Sequence, residues 1–127
     1  MLEIDLPDVV QELTDAFNAY ERALTTNDIA KVNDLFWDNT LTMRYGIREG
    51  EHHYSHAAIG EFRIKRGAVN QPRTLQNLRI TTFGRDFGVA NTEFIVAALG
   101  KVGRQSQTWM RTDRGWKIVS AHVSIGQ

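Results

Sequence analysis

Beyond Pro72 the chain never returns to a helical pattern. Four stretches with strand character follow one another: Arg73 to Phe83, Phe87 to Leu99, Lys101 to Arg111 and Trp116 to Ser124. Only Gly84-Arg85-Asp86, Leu99-Gly100 and the turn at Asp113-Arg114-Gly115 separate them. Connections this short join antiparallel neighbours, because a parallel pair needs a crossover of a dozen residues or more. The second portion of the chain is thereby committed to an antiparallel meander.

The last hairpin, Gly103 to Ser124, is its most informative piece. With Arg111 facing Trp116 across the turn, side-chain alternation puts Gln105, Gln107 and Trp109 on one face with Ile118, Ser120 and His122. His122 then stands opposite Gln105, and Ser120 opposite Gln107. The other face carries Ser106, Thr108, Met110, Val119, Ala121 and Val123. One side thus offers a polar cluster for a pocket wall, the other a mildly apolar surface that suits a dimer contact. A slip of one residue would exchange the two sides.

Ahead of Pro72 the period is helical. Val10, Leu13, Phe17, Tyr20 and Leu24 recur at steps of three and four, after a Pro7-Asp8 start that suits a first turn. Asn27 ends this helix and Asp28 opens another through Ile29, Val32, Leu35 and Phe36. Leu41 to Gly46 reads as a short strand. Ser55 is the N-cap of a third helix through Ala58, Ile59 and Phe62, stopped by Gly67. Helices first and a meander afterwards predict an α+β fold, three helices packed on one face of a curved, mainly antiparallel sheet. No repeat, linker or low-complexity tract interrupts residues 1–127, so one domain is expected.

Composition narrows the chemistry. Fifteen basic and fifteen acidic side chains cancel, so no global charge favours nucleic acid or an anionic membrane. Cysteine is absent, which removes disulfides, thiolate metal sites and cysteine nucleophiles and fits a reducing cytoplasm. The start MLEIDLPD is too acidic for a targeting peptide, and no run approaches a membrane span. The expectation is a cytoplasmic protein.

Several stretches carry a family resemblance: Tyr20-Glu21-Arg22-Ala23-Leu24, Leu35-Phe36-Trp37, Arg44-Tyr45-Gly46, Ile80 to Asp86, Asn91-Thr92-Glu93-Phe94, Gly103 to Trp109 and Ala121 to Ser124. With the helix–helix–strand–helix start and the four-strand meander, they resemble the AtzH/HpxZ-like branch of the SnoaL-like, nuclear transport factor 2-like proteins. The resemblance implies a cone of curved sheet around an internal pocket and a small cytoplasmic homodimer. It also implies work beside amidase-type enzymes in bacterial breakdown of nitrogen compounds such as oxalurate or cyanuric acid. The activity implied is a cofactor-free hydrolase of the decarboxylating amidohydrolase type, acting on a carboxylated urea such as 1,3-dicarboxyurea. Where family members carry a Glu-Asn-Leu-Tyr-Gly-like turn before the third helix, this chain has Glu49 to His56 instead.

The candidate residues follow from chemistry as well. Arg44 offers the planar fork that matches a carboxylate, against the commoner fate of a surface ion pair. Tyr20 can donate a hydrogen bond or a proton to a substrate, or be a core tyrosine with a satisfied hydroxyl. Gln105, Gln107, Ser120 and His122 suit a urea-like ligand of mixed polarity, or a network that holds strand register. Histidine is the side chain that can act as a base near neutral pH, which is the role His122 suits. Glu93 is an acid among apolar strand neighbours, facing either the pocket or a dimer surface. Arg63 and Arg66 read as solvated charges near a helix C-terminus, and Arg73 is undefined. His52, His53 and His56 read as a polar loop rather than a metal site, since no HExxH spacing is present. No cofactor is expected. Two further readings stay open: a non-catalytic binding or amidase-accessory dimer, and an isomerase or hydratase that would need Glu93 in the pocket.

Overall fold

The structure, a computed structural model, describes residues 1–68 and 72–126. Helix α1 (Pro7–Thr25) opens with proline in its first turn, and Asp8 sits where the helix dipole favours an acid. Its buried stripe is Val9, Leu13, Phe17, Tyr20 and Ala23. This is the expected face turned slightly, so that Val10 and Leu24 are only partly covered. Asn27, at φ 57, ends the segment in the left-handed region that asparagine tolerates. Asp28 then caps α2 (Ile29–Asp34) by accepting the Lys31 amide at 3.2 Å. Ser55 caps α3 (His56–Arg66) in the same way through Ala58, and Gly67 follows its last turn.

Among the described residues the strands are β1 (Met43–Tyr45), β2 (His52–Tyr54), β3 (Thr74–Phe83), β4 (Phe87–Val96), β5 (Lys101–Thr112) and β6 (Gly115–Ile125). They form one sheet in the order β2-β1-β6-β5-β4-β3, antiparallel except where β1 runs parallel to β6. Strand β1 is shorter than the expected Leu41 to Gly46. The predicted polar loop at His52 to Tyr54 is instead β2, the edge strand, with His53 opposite Arg44. Strand β4 ends at Val96, three residues early, because a turn closes there with Gly100 at φ 60.

The core lies between the helices and the inner face of the sheet. Phe17, Leu13, Phe36, Ile59, Trp109 and Ile118 are completely or almost completely buried, and each such side chain stabilises the fold by roughly 1.5–3 kcal/mol. Tyr20 meets Phe36 and Trp109 edge-on, at ring-centre distances of 6.1 and 6.5 Å. Phe94 lies over Gly103, where an added Cβ would fall 2.1 Å from its ring, so only glycine admits that wall residue.

The last hairpin departs from the expected register. Arg111 pairs with Trp116 and Trp109 with Ile118, as alternation required, but the next pair is Thr108 with Ser120. Val119 is an extra residue on β6, a β-bulge. Beyond it every β6 side chain is reversed. Gln105 faces Val123, Gln107 faces Ala121, and Ser106 pairs with His122. Ser120 and His122 therefore leave the inner face. Ala121 and Val123, expected on the outer surface, turn inward in their place. Glu93 is also on the outer side, donated to by the Gln76 amide at 2.8 Å, while its neighbours Phe94 and Thr92 are buried.

Candidate functional site

A cavity of about 160 Å³ lies inside the fold between α1, α3 and the inner face of the sheet. That is close to the volume that accepts a benzene-sized guest. Of the residues named from sequence, Tyr20, Arg44, Gln105 and Gln107 line it. Ser120 does not line it. His122 borders it, but its ring packs 5.5 Å from Tyr45 on the outer face, and a strand residue presents its side chain to one face only. Glu93 takes no part.

The structure adds three cations that sequence reasoning set aside: Arg63, Arg66 and Arg73. Arg63 is as buried as a core residue, 3% exposed, and its guanidinium lies 5.5 Å from the Phe36 ring. One signal was available. Arg63 follows Ile59 by four residues and so shares the face that α3 buries. Its basic neighbours Lys65 and Arg66 disguised it as one more solvated charge.

The cavity is chemically divided. On the β1 and α3 side, Arg44 is 7% exposed and its Nη1 has no hydrogen-bond partner; Arg63 Nε is equally unpartnered. Arg63 Nη2 donates to Tyr20 Oη at 3.4 Å, which leaves the tyrosine O–H free to donate elsewhere. Burial, followed by the nearby charge of Arg63, pushes the Arg44 guanidinium well below the ordinary arginine range, to about 10. Burial and the same neighbour lower Arg66 too. Both remain cations at neutral pH. Arg44 and Arg66 share the Phe62 ring, at 5.4 and 5.2 Å.

On the β3–β5 side the charge is already answered. Arg73 forms a close two-pronged ion pair with Glu21 and donates to Gln105 Oε1 at 3.1 Å. Gln105 Nε2 reaches Glu21 at 3.4 Å. Arginine only donates and an ionised carboxylate only accepts, so both ends of the Gln105 amide are fixed. Phe94, Val96, Ala121, Val123 and Ile125 supply apolar walls, with Phe94 4.6 Å beneath the Arg73 guanidinium.

Gln107 is oriented by the same logic. Trp109 Nε1, a donor only, bonds its Oε1 at 3.1 Å, so the amide nitrogen is what Gln107 has left to offer. Arg44, Arg63, Tyr20 and Gln107 thus present donors, and no carboxylate is among the described residues that line the cavity. Such a wall fits a ligand rich in acceptors and negatively charged. No group of three or more His, Asp or Glu side chains able to hold a metal ion occurs among the described residues.

The sequence model of the AtzH-like family matches residues 2–127. A protein of unknown function from the DUF3225 family of Pectobacterium atrosepticum has a crystal structure similar to this one. The TM-score is 0.93 at 44% identity, covering 98% of this chain and 95% of that one. A cystatin-like fold protein from Burkholderia xenovorans gives a TM-score of 0.92, also at 44% identity, over 98% and 97% of the two chains. A nuclear transport factor 2-like superfamily protein from Salmonella enterica is similar in fold alone, with a TM-score of 0.72 at 24% identity over 92% and 90%. No curated protein matches. The α+β architecture read from the sequence, helices on one face of a curved sheet, is that of the nuclear transport factor 2-like proteins.

Proposed function

The chain belongs to the AtzH-like family, and from that premise and the chemistry of the cavity we propose a hydrolase that releases a carboxyl group from a small carboxylated urea or amide. 1,3-Dicarboxyurea is the type substrate. The observation that carries the reading is the pair of buried guanidinium groups, Arg44 and Arg63, each with an N–H left unpartnered. A carboxylate of the substrate would complete both.

The residue set suits one bond in particular. When a carboxyl group leaves a urea nitrogen, the C–N electron pair returns to nitrogen, which must gain a proton. The carboxyl carbon departs as carbon dioxide, which water converts to bicarbonate. This chemistry asks for a proton donor, and Tyr20 is the hydroxyl in place. It asks for no strong base. A leaving carboxylate loses its charge on the way to carbon dioxide, so a guanidinium gripping it would stabilise the ground state most. Arg44 and Arg63 are therefore assigned to the carboxylate that stays. The leaving group falls to the side where Glu21 already neutralises Arg73 and the walls are apolar. Gln107 would donate to the urea carbonyl and hold the reacting bond in line.

The test is bicarbonate release from 1,3-dicarboxyurea by the purified protein. Tyr20→Phe should lower kcat by about 100-fold or more with binding retained, the lower range for loss of a general acid. Arg44→Lys should raise KM by about tenfold, since a point charge replaces a planar fork. Full activity in either variant removes that residue from the mechanism. One rival uses the same pair of unpartnered guanidinium groups, Arg44 and Arg63, for binding alone. On that reading the protein only binds the anion, or supports an amidase, and saturable binding without product would establish it.

A further inference from the structure

Three buried polar atoms on the β1–β2 hairpin have no hydrogen-bond partner: Arg44 Nη1, Glu51 Oε2 and His53 Nδ1. Each such atom costs about 1–3 kcal/mol when nothing answers it. They are neighbours. Arg44 and His53 are register partners across the two strands. A Cβ on Gly46 would lie 2.9 Å from Arg44 Nη1 and 2.8 Å from Glu51 Cβ, so the guanidinium and the base of Glu51 flank the same glycine. The guanidinium and the His53 ring also rest on one aromatic side chain, Phe62, at 5.4 and 4.4 Å.

We propose that Glu51 and His53 are positioning residues for Arg44, held behind its guanidinium so that their charges set how tightly it grips an anion in the cavity. The inference rests on the anion-binding reading above and deepens it. Glu51 is a carboxylate close enough to act on Arg44 without forming an ion pair with it, so it counters part of the charge that an incoming carboxylate would feel. His53 works in the opposite sense. The charged and titratable groups around it are Arg44 from β1, Arg63 from α3, Glu51 from the connecting turn and His52 from its own strand. Glu51 alone among them favours the imidazolium. Burial first, and Arg44 next, hold the His53 ring below its ordinary 6.5. His53 is therefore neutral at pH 7 and becomes a further cation beside Arg44 only on acidification.

Titration calorimetry with oxalate as the probe tests this on the full chain. At pH 7, Glu51→Gln should bind oxalate roughly three- to tenfold tighter, the scale of removing one partly screened charge. The parent should tighten between pH 7 and pH 5, and His53→Gln should lose most of that gain. With a substrate that turns over, the Glu51→Gln effect should appear in KM while kcat stays put. A merely structural role would move neither the pH profile nor the KM alone. If Glu51→Gln does not fold, the His53→Gln profile decides by itself. Variants that keep the parent's affinity and pH profile, while Arg44→Lys weakens binding, overturn this inference and leave the anion site standing. A parent that does not bind oxalate, or an Arg44→Lys protein that binds it as well as the parent, overturns the anion reading and this inference with it.

Discussion

Arg44 and Arg73 are two arginines in one cavity with opposite consequences for stability. Arg44 is buried without a paired carboxylate. Burial pushes its pKa down to about 10, so carrying the charge in the folded state costs stability. The sign follows from which state holds the proton. Between about pH 10 and the higher range where an exposed arginine titrates, the unfolded chain keeps a proton that the folded chain has released, so stability rises with pH there. Below about pH 10 the cost is present in full. Arg44→Met should therefore raise stability at pH 7 by about 1–3 kcal/mol, since an unpaired buried charge gives way to an apolar chain of similar length. The melting temperature should climb by several degrees while oxalate binding disappears. A fall in melting temperature would mean that Arg44 is held by partners it does not show. Arg73→Met should do the reverse, because it strands the Glu21 carboxylate at 12% exposure. About 3 kcal/mol of destabilisation is expected, and a neutral result would deny that the pair is structural.

Strand β6 shows which elements can be read from sequence and which cannot. Helix starts are local chemistry, and the side chains of Asp28 and Ser55 cap where their residue types said they would. The period-two pattern placed Gln105 and Gln107 on the inner face, and Arg111 opposite Trp116 fixed the turn. The bulge had no such signature. Val119 is an ordinary strand residue, and its extra position is visible only in how β6 pairs with β5. That single residue turned Ser120 and the His122 ring to the outer face and brought Ala121 and Val123 in. The cation cluster was missed for a different reason. Arg63 becomes a cavity residue only because α3 lies over β1, a tertiary fact that composition does not carry. The register itself is testable. Ala121→Phe should fill the cavity and weaken oxalate binding by tenfold or more without unfolding the chain, whereas Ser120→Val should leave it within about twofold. Equal effects from the two substitutions would contradict the bulge.

For the molecule as a whole, a balanced charge is combined with a concentrated one. Basic and acidic side chains cancel across the chain, yet Arg44, Arg63 and Arg66 converge on one cavity, so attraction for an anion is local and short-ranged. No helix among the described residues is long and apolar enough to cross a membrane. The helices bury the inner face of the sheet, and we propose the outer face as the surface for a second copy. The bulge changes the composition of that surface. Met43, Tyr45, Val89, Thr108, Ser120 and His122 line a shallow groove there, and the expected Val123 takes no part in it. A two-fold dimer buries the same patch from both partners, so one substitution is felt twice. Thr108 lies within this groove, half-buried and pointing away from the cavity. Thr108→Arg would bring two like charges into a symmetric contact. Light scattering at micromolar concentration should give twice the mass of one chain for the parent and a monomer for Thr108→Arg, with helix and strand content unchanged. A monomeric parent would remove the dimer, and a dimeric variant would move the contact to another face. Oxalate binding that survives in the Thr108→Arg monomer would further show that one chain completes the cavity by itself.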